Sequence, residues 1–261
     1  MPARLLGSLL LLVVVRCAAA GPPPPPAVQR WQMGQEALRN GNVDEAIELY
    51  RQSLQLDAGL TRNYLSLAAA YSAKGDDDRA LEHLVRYVQK QPDHVMARAH
   101  LGEMLLRLKR PAAARVQFER CATDMQDHSE LDAEKLIHCE SRLMELAEAL
   151  DDDYGEHLHR GIGLYLLACQ RETLPDPNGQ LPVQGVFFRA AAELSAARAE
   201  RPDEARPCWY LHLVWARLGQ QHPANRWLRR TEEEAALADL TPAERRELQA
   251  ACRAAVTQGR K

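Results

Sequence analysis

The chain has 261 residues, of which 46% are hydrophobic and 26% are charged, and its formal net charge is −3. This composition is typical of a folded chain and excludes an intrinsically disordered one. The mildly acidic balance gives no reason to expect nucleic acid or an anionic membrane surface as a partner. Aromatic residues make up only 5% of the chain, which favours close-packed helices over a β-sandwich.

The first twenty residues have the pattern of an export signal. Arg4 provides a positive charge, residues 5–15 are uncharged and strongly apolar, and Ala18 and Ala20 form an A-x-A cleavage site. We therefore predict a cleaved signal peptide at 1–20. The predicted location is outside the cytoplasmic membrane, in the periplasm, the cell envelope or the medium.

Two other interpretations of this segment are an uncleaved membrane anchor and a lipid attached at Cys17. An anchor needs about 20 apolar residues, and Arg16 interrupts the run before that length. Bacterial lipoprotein signals place a small residue before the cysteine, where this chain has Arg16. The mature chain is thus expected to begin with a proline-rich linker at 21–27 and to have no integral membrane span.

Five cysteines remain after cleavage, and they are widely spaced: Cys121, Cys139, Cys169, Cys208 and Cys252. An odd number without any C-x-x-C pair fits neither a disulfide scaffold nor a zinc site. Free buried thiols that pack as small hydrophobic groups are the expectation. One or two disulfides remain open, because exported proteins meet an oxidising environment.

Four sets of equivalent residues recur every 34 positions. They are two small residues, one large apolar residue and a turn position: Gly34, Ala68 and Gly102; Ala46, Ala80 and Ala114; Tyr50, Leu84 and Phe118; Gly41, Gly75 and Lys109. Such a period indicates paired antiparallel helices. The small residues allow the helices to approach closely, and the large ones are expected to fill the gap between successive hairpins.

Local capping patterns support these helices. Asn42 is followed by Glu45 three residues later, which predicts an N-cap with its reciprocal partner. Asp93 is predicted to cap the helix that follows Pro92.

This pattern resembles the tetratricopeptide repeat (TPR) family. In the frame of that family the units run 27–60, 61–94 and 95–128, and they define a repeat domain at 28–128. Arg30 and Arg98 stand where the family has an aromatic residue. The resemblance implies an all-α fold, a right-handed TPR-type solenoid of helical hairpins.

The repeat pattern continues in weaker form beyond residue 128. Residues 129–204 are predicted as an irregular helical continuation, with a helix at 129–150 and a hairpin interrupted by a Pro/Gly-rich loop at 173–182. Residues 205–261 are predicted as a degenerate repeat followed by a C-terminal capping helix. Thr241, Pro242 and Glu244 form a capping box at the start of that helix.

The resemblance also implies a concave face that binds a protein or peptide. Its residues, matched by repeat position, are Trp31, Gln35, Leu38, Arg62, Leu65, Ala69, Met96, Ala99, Glu103 and Leu106. The clamp by which some family members hold a chaperone's C-terminal carboxylate is absent, because Trp31, Gln35, Ser66, Met96 and His100 occupy its places. An apolar peptide or helix is the expected ligand. Alternatively, part of this stripe packs against the proline run or the C-terminal helices.

No pattern in the chain predicts catalysis, a cofactor or a metal. His157 and His159 are two residues apart and would point to different faces of a helix, so they fit a metal site poorly. The aspartates at 151–153 are interpreted as a polar turn before a helix, and Gly161 and Gly163 as close helix packing. The expected function is a noncatalytic adaptor. The alternatives are a self-assembling structural subunit and an accessory protein with a site in 129–204.

Overall fold

The computed structural model describes residues 23–127, 132–173, 183–233 and 239–258. Within these ranges the chain forms twelve α-helices and no β-strand, so the all-α fold class is confirmed. The helices are α1 (Pro26–Arg39), α2 (Val43–Leu56), α3 (Arg62–Lys74), α4 (Asp77–Lys90), α5 (Val95–Arg107), α6 (Pro111–Asp127), α7 (Ala133–Ala149), α8 (Asp153–Thr173), α9 (Val183–Glu200), α10 (Ala205–Arg217), α11 (Gln221–Glu233) and α12 (Pro242–Gln258). None of the described helices is both long and apolar enough to cross a membrane. The predicted signal peptide lies outside the described residues.

The chain divides into two compact units, with the boundary after Leu60. The first contains the α1–α2 hairpin. Helix α1 begins at Pro26, so the last two residues of the predicted linker are helical. Proline suits the first turn of a helix because it has no N–H to leave unpaired. The hydroxyl of Ser53 in α2 donates to the carbonyl oxygen of Ala27 at 2.6 Å and joins the two helices.

The second unit contains α3 to α12, and its first four helices form two further hairpins. The predicted turn positions are confirmed in all three repeats, because Gly41, Gly75 and Lys109 have positive φ angles of 83°, 82° and 55°. Glycine adopts this conformation without strain, whereas Lys109 adopts it at a small cost.

Two of the large residues of the repeat, Tyr50 and Phe118, pack against the first helix of their own hairpins. A Cβ atom built on Gly102 would lie 2.7 Å from the Phe118 ring, and one built on Gly34 would lie 2.7 Å from Tyr50. Each ring lies against the helix opposite to it, because the missing side chain of glycine leaves space there. The third large residue, Leu84, lines a cavity between α3 and α5 of two successive hairpins, as the sequence pattern predicts.

Two of the predicted caps differ in detail. Asn42 occupies the N-cap position of α2, but its amide donates to the Glu45 carboxylate at 3.2 Å and makes no cap bond to the backbone. The prediction that Asp93 caps α5 is wrong. Helix α5 starts two residues later, and Nδ1 of His94 accepts the Ala97 N–H at 3.1 Å.

Beyond the regular hairpins, α7 and α9 pack on α8, and α10 pairs with α11. Helix α7 lies within the helix predicted at 129–150, and α8 and α9 lie on either side of the predicted loop. Residues 174–182 of the predicted loop lie outside the described ranges. Gly161 marks a close approach between α8 and α9, since a Cβ atom there would lie 2.7 Å from Cγ and 3.2 Å from the backbone N of Leu194.

This contact makes Gly161 and Gly163 a matched pair for a test of helix packing. We expect Gly161→Ala to destabilise the protein by about 2 kcal/mol, because its methyl group forces α8 away from α9. A Cβ atom on Gly163 has its nearest neighbour 3.8 Å away. Gly163→Ala should therefore stabilise by up to about 1 kcal/mol through helix propensity. Urea denaturation measures both changes, and a loss of stability in both variants would contradict the packing assignment.

Helix α12 begins at the predicted capping box. The backbone N–H of Thr241 donates to Glu244 at 2.8 Å, and the N–H of Glu244 donates to the Thr241 hydroxyl at 3.2 Å. The helix packs against α11, as expected of a C-terminal cap, and also against α6. Thr241 is linked to α6 through the side chain of Gln126 at 2.8 Å.

Candidate functional site

A groove between α3 and α5 contains an apolar cavity of about 340 Å³. Its lining residues come from the facing sides of the two helices, with one residue from α4: Leu65, Ala68, Ala69, Ser72, Leu84, His100, Glu103, Met104 and Arg107. Ala68 and Leu84 are buried and lie at its base. We name this cavity the α3–α5 groove.

Polar contacts hold the rim of the groove in place. The Arg107 guanidinium donates to the Ser72 hydroxyl at 2.9 Å and lies 3.0 Å from the Asp77 carboxylate. Glu103 pairs with Arg142 of α7 at 2.8 Å. The charged rim residues are therefore engaged by neighbouring helices, and the apolar base remains available to a ligand.

The residues predicted for the concave face divide between the two units. Trp31, Gln35 and Leu38 lie on α1 in the first unit, where Gln35 is exposed and the other two are half-buried. Seven residues lie in the second unit, and three of them line the α3–α5 groove: Leu65, Ala69 and Glu103.

The other four predicted residues of the second unit lie outside this cavity. Arg62 is exposed at the first position of α3, and Met96 is 38% exposed near the start of α5. Ala99 is buried, and Leu106 is half-buried. The repeat position of a residue predicts which face of its helix it lies on. Whether that residue lines a cavity depends also on how the neighbouring helix packs.

Sequence reasoning missed His100 and Met104 as groove residues. Both lie on the α5 face that carries Glu103 and Arg107, since residues three or four positions apart share a helix face. That spacing was visible in the sequence. Met104 is nevertheless largely buried, and its polarisable side chain adapts to apolar ligands of different shape.

A second, charged cavity of about 400 Å³ lies among α6, α8, α10 and the start of α12. Part of its lining comes from residues 129–204, the alternative location of a functional site. The arginines that line it are paired with carboxylates: Arg115 with Glu119 and Asp152, Arg201 with Asp152, and Arg206 with Glu244. His159 is hydrogen-bonded to Glu140. Glu204 lies beside Asp239 instead, and burial and the Asp239 carboxylate raise the pKa of Glu204. These contacts fit a structural network that joins α6 to α8 and to the end of α9, α7 to α8, and α10 to α12.

Asp152 is the centre of one part of this network. It is the residue before α8, and its carboxylate accepts the Gly155 N–H at 3.2 Å, Arg115 at 2.8 Å and Arg201 at 3.0 Å. Burial opposes ionisation, but the Gly155 N–H and the Arg115 guanidinium lower the pKa of Asp152 below its usual value. The aspartate run was predicted as a polar turn before a helix. It also ties α8 to α6 and to the end of α9.

Glu244 is the centre of the other part. Its Oε1 atom accepts Arg206 at 3.0 Å and the Tyr210 hydroxyl at 2.9 Å. Burial opposes the charge of Arg206, but the Glu244 carboxylate raises the pKa of the guanidinium. Burial, and then the negative charge of Glu244, raise the pKa of Tyr210. The start of α12 is thus anchored to α10 by a buried charged group.

The two histidines considered for metal binding face different partners, as their spacing predicted. Nδ1 of His157 lies 2.7 Å from Glu193, and Nδ1 of His159 lies 2.7 Å from the fully buried Glu140. In the ranges that the structure describes, no three His, Cys, Asp or Glu side chains are grouped as a metal would require.

Residues 37–95 match the tetratricopeptide repeat family. Several solved structures are similar to this chain. PilF of Pseudomonas aeruginosa has 15% identity over 86% of this chain and 97% of that one, with a TM-score of 0.43. MamA has 15% identity over 82% and 96%, with a TM-score of 0.43. YrrB, described as having an unusual peptide-binding site, has 14% identity over 85% and 91%, with a TM-score of 0.38.

Proposed function

Since residues 37–95 belong to the tetratricopeptide repeat family, we propose that this protein is a noncatalytic adaptor that binds a protein or peptide segment in the α3–α5 groove. The observation that carries the proposal is the apolar cavity between two first helices of successive repeats, with a fixed polar rim. Its proposed location is outside the cytoplasmic membrane, on the strength of the export pattern at 1–20.

The size and chemistry of the groove favour one or two apolar side chains of a peptide. A cavity of about 340 Å³ is at the lower end of the range found for ligand sites. A complete small-molecule cofactor would leave much of its surface exposed there. An amphipathic helix or an extended segment can insert an anchor residue and place its backbone along the rim.

The rim supplies polar groups for the rest of such a segment. His100 is exposed beside the cavity, and Ser72 is held by Arg107 at 2.9 Å. Because Glu103 is neutralised by Arg142, the groove does not repel a neutral or a weakly acidic peptide. A strongly charged ligand such as nucleic acid finds no basic stripe along the cavity.

Ala69→Glu tests the groove, with Ala113→Glu as its matched control. Both alanines are exposed on helices of the second unit, but only Ala69 lines the cavity, and Ala113 lies on α6, which contributes no residue to it. Glutamate is a good helix former, so both variants should fold equally well. We expect Ala69→Glu to weaken binding of selected peptides at least tenfold, because it places a charge over the apolar base.

The measurement is peptide selection from a random display library on the full mature chain, followed by titration of the selected peptides. We expect selected sequences to share a large apolar residue. Equal binding by wild type and Ala69→Glu, or equal loss in both variants, would exclude the groove as the binding site. Sedimentation of the free protein addresses the self-assembly alternative, since a subunit that assembles through its ends would show mass increasing with concentration.

A further inference from the structure

Two buried cysteines face each other between α6 and α7. The Sγ atoms of Cys121 and Cys139 are 3.4 Å apart, and both side chains are fully buried. The Cys139 thiol donates to Cys121, whose own thiol is directed to the Val95 carbonyl at 3.7 Å. The remaining cysteines have other neighbours, among them Arg198 beside Cys208 and Tyr165 beside Cys169.

We propose that Cys121 and Cys139 are a disulfide site, which joins the last regular repeat to the helical continuation. A disulfide bond is about 2.05 Å long, so the sulfur atoms must approach by about 1.4 Å from their separation of 3.4 Å. Small rotations about the side-chain bonds supply this movement, because the two helices are already packed together. The proposal does not depend on the groove or its ligand.

The electrostatics of the pair distinguish the two thiols. The hydrogen bond from Cys139 lowers the pKa of Cys121, whereas the same bond and burial raise the pKa of Cys139. These shifts describe the closed structure, in which both sulfur atoms are buried. They favour the thiolate, the form that reacts with a disulfide, at Cys121 rather than at Cys139.

The oxidant is a small or protein disulfide, such as oxidised glutathione or a thiol–disulfide oxidoreductase. The thiolate of one of the two cysteines attacks one sulfur of that disulfide and releases one thiolate of the oxidant. The thiolate of the other cysteine then attacks the sulfur of the first and releases the second thiolate of the oxidant. The oxidant gains two electrons and the two protons of the cysteine thiols, and the protein loses both.

The burial of the two cysteines determines when the disulfide bond can form. Both sulfur atoms are withdrawn from solvent in the folded protein, so the reaction occurs during folding or when α7 opens from α6. Once formed, the bond is protected from external reductants by the same burial. The cross-link closes a loop of 17 intervening residues, and it limits the freedom of the unfolded chain.

The test is oxidative refolding of the full mature chain in a glutathione buffer, followed by denaturation in N-ethylmaleimide and tryptic mass mapping. Cleavage after Arg120, Lys135 and Arg142 places the two cysteines on separate peptides, 121–135 and 136–142. We expect these two peptides to be linked and Cys169, Cys208 and Cys252 to be alkylated. Alkylation of both peptides, or linkage of either to another cysteine, would overturn the proposal.

The cross-link should also change thermal stability. Reduction is expected to lower the midpoint of thermal unfolding by roughly 6–12 °C, given the loop length and the size of the chain. Cys139→Ser should abolish this difference, and Cys169→Ser should preserve it. If Cys139→Ser does not fold, the peptide map of the wild type still decides the matter.

Discussion

Replacing Glu244 with alanine is expected to cost about 3–5 kcal/mol of the free energy of unfolding. The Glu244 side chain is 4% exposed, and it faces Arg206, which is 14% exposed. Removing the carboxylate leaves a buried guanidinium without its counter-charge and the Tyr210 hydroxyl without its acceptor. The same change breaks the capping box with Thr241. Helix α12 should then separate from the rest of the unit.

Hydrogen exchange and urea denaturation together test this prediction. We expect faster exchange throughout α12 and at the C-terminal end of α6, since Thr241 bonds Gln126 there. Glu247→Ala is the matched control, one turn along the same helix and exposed. Partial desolvation of its carboxyl group and the charge of Glu244 raise the pKa of Glu247. Because the side chain is largely exposed, its removal should change stability by less than about 0.5 kcal/mol. Similar losses in both variants would show that Glu244 has no anchoring role.

Helix α12 shows what local sequence patterns can predict and what they cannot. The capping box at 241–244 was visible because its residues are three positions apart and interact with each other. The contact with Gln126 was not visible, because it joins residues 115 positions apart. Nothing in the α12 sequence distinguishes a helix that covers only the end of a repeat array from one that also reaches back to α6.

The repeats were predictable for a physical reason. A hairpin that recurs every 34 residues must repeat its small and large residues, because each helix meets an equivalent neighbour. Deviations from the family pattern were harder to interpret. Arg98 stands where an aromatic residue is usual, and it is buried with its guanidinium bonded to the Pro92 carbonyl and 3.2 Å from Asp124. An ion pair with the opposite helix thus takes the place of an aromatic contact.

The groove was only partly predictable. Leu65, Ala69 and Glu103 could be assigned from their repeat positions, whereas His100 and Met104 depend on how α3 approaches α5. The face of a helix follows from its period of 3.6 residues, but the depth of a cavity follows from side-chain packing between helices. For the same reason, the sequence alone does not predict the contact between Cys121 and Cys139.

Asp152→Ala is expected to cost about 3 kcal/mol, because it removes a helix cap and the shared partner of Arg115 and Arg201. The Asp152 side chain is 13% exposed, so solvent compensates the two arginines only in part. Asp153→Ala is the control at the next position, where the carboxylate is exposed. Its loss should cost less than about 0.5 kcal/mol, the value of a surface charge near a helix N-terminus.

The dependence of this loss on pH tests its electrostatic origin. The folded protein lowers the pKa of Asp152 below 3.8, the value expected without its partners. A carboxyl group with a lowered pKa stabilises the folded state fully above its unfolded pKa, and this stabilisation disappears as the pH falls through the folded pKa. The difference in unfolding free energy between wild type and Asp152→Ala should therefore be constant near neutral pH and shrink below about pH 4. A difference that persists at pH 2 would assign the loss to packing, and the cap and the two arginines would then contribute little.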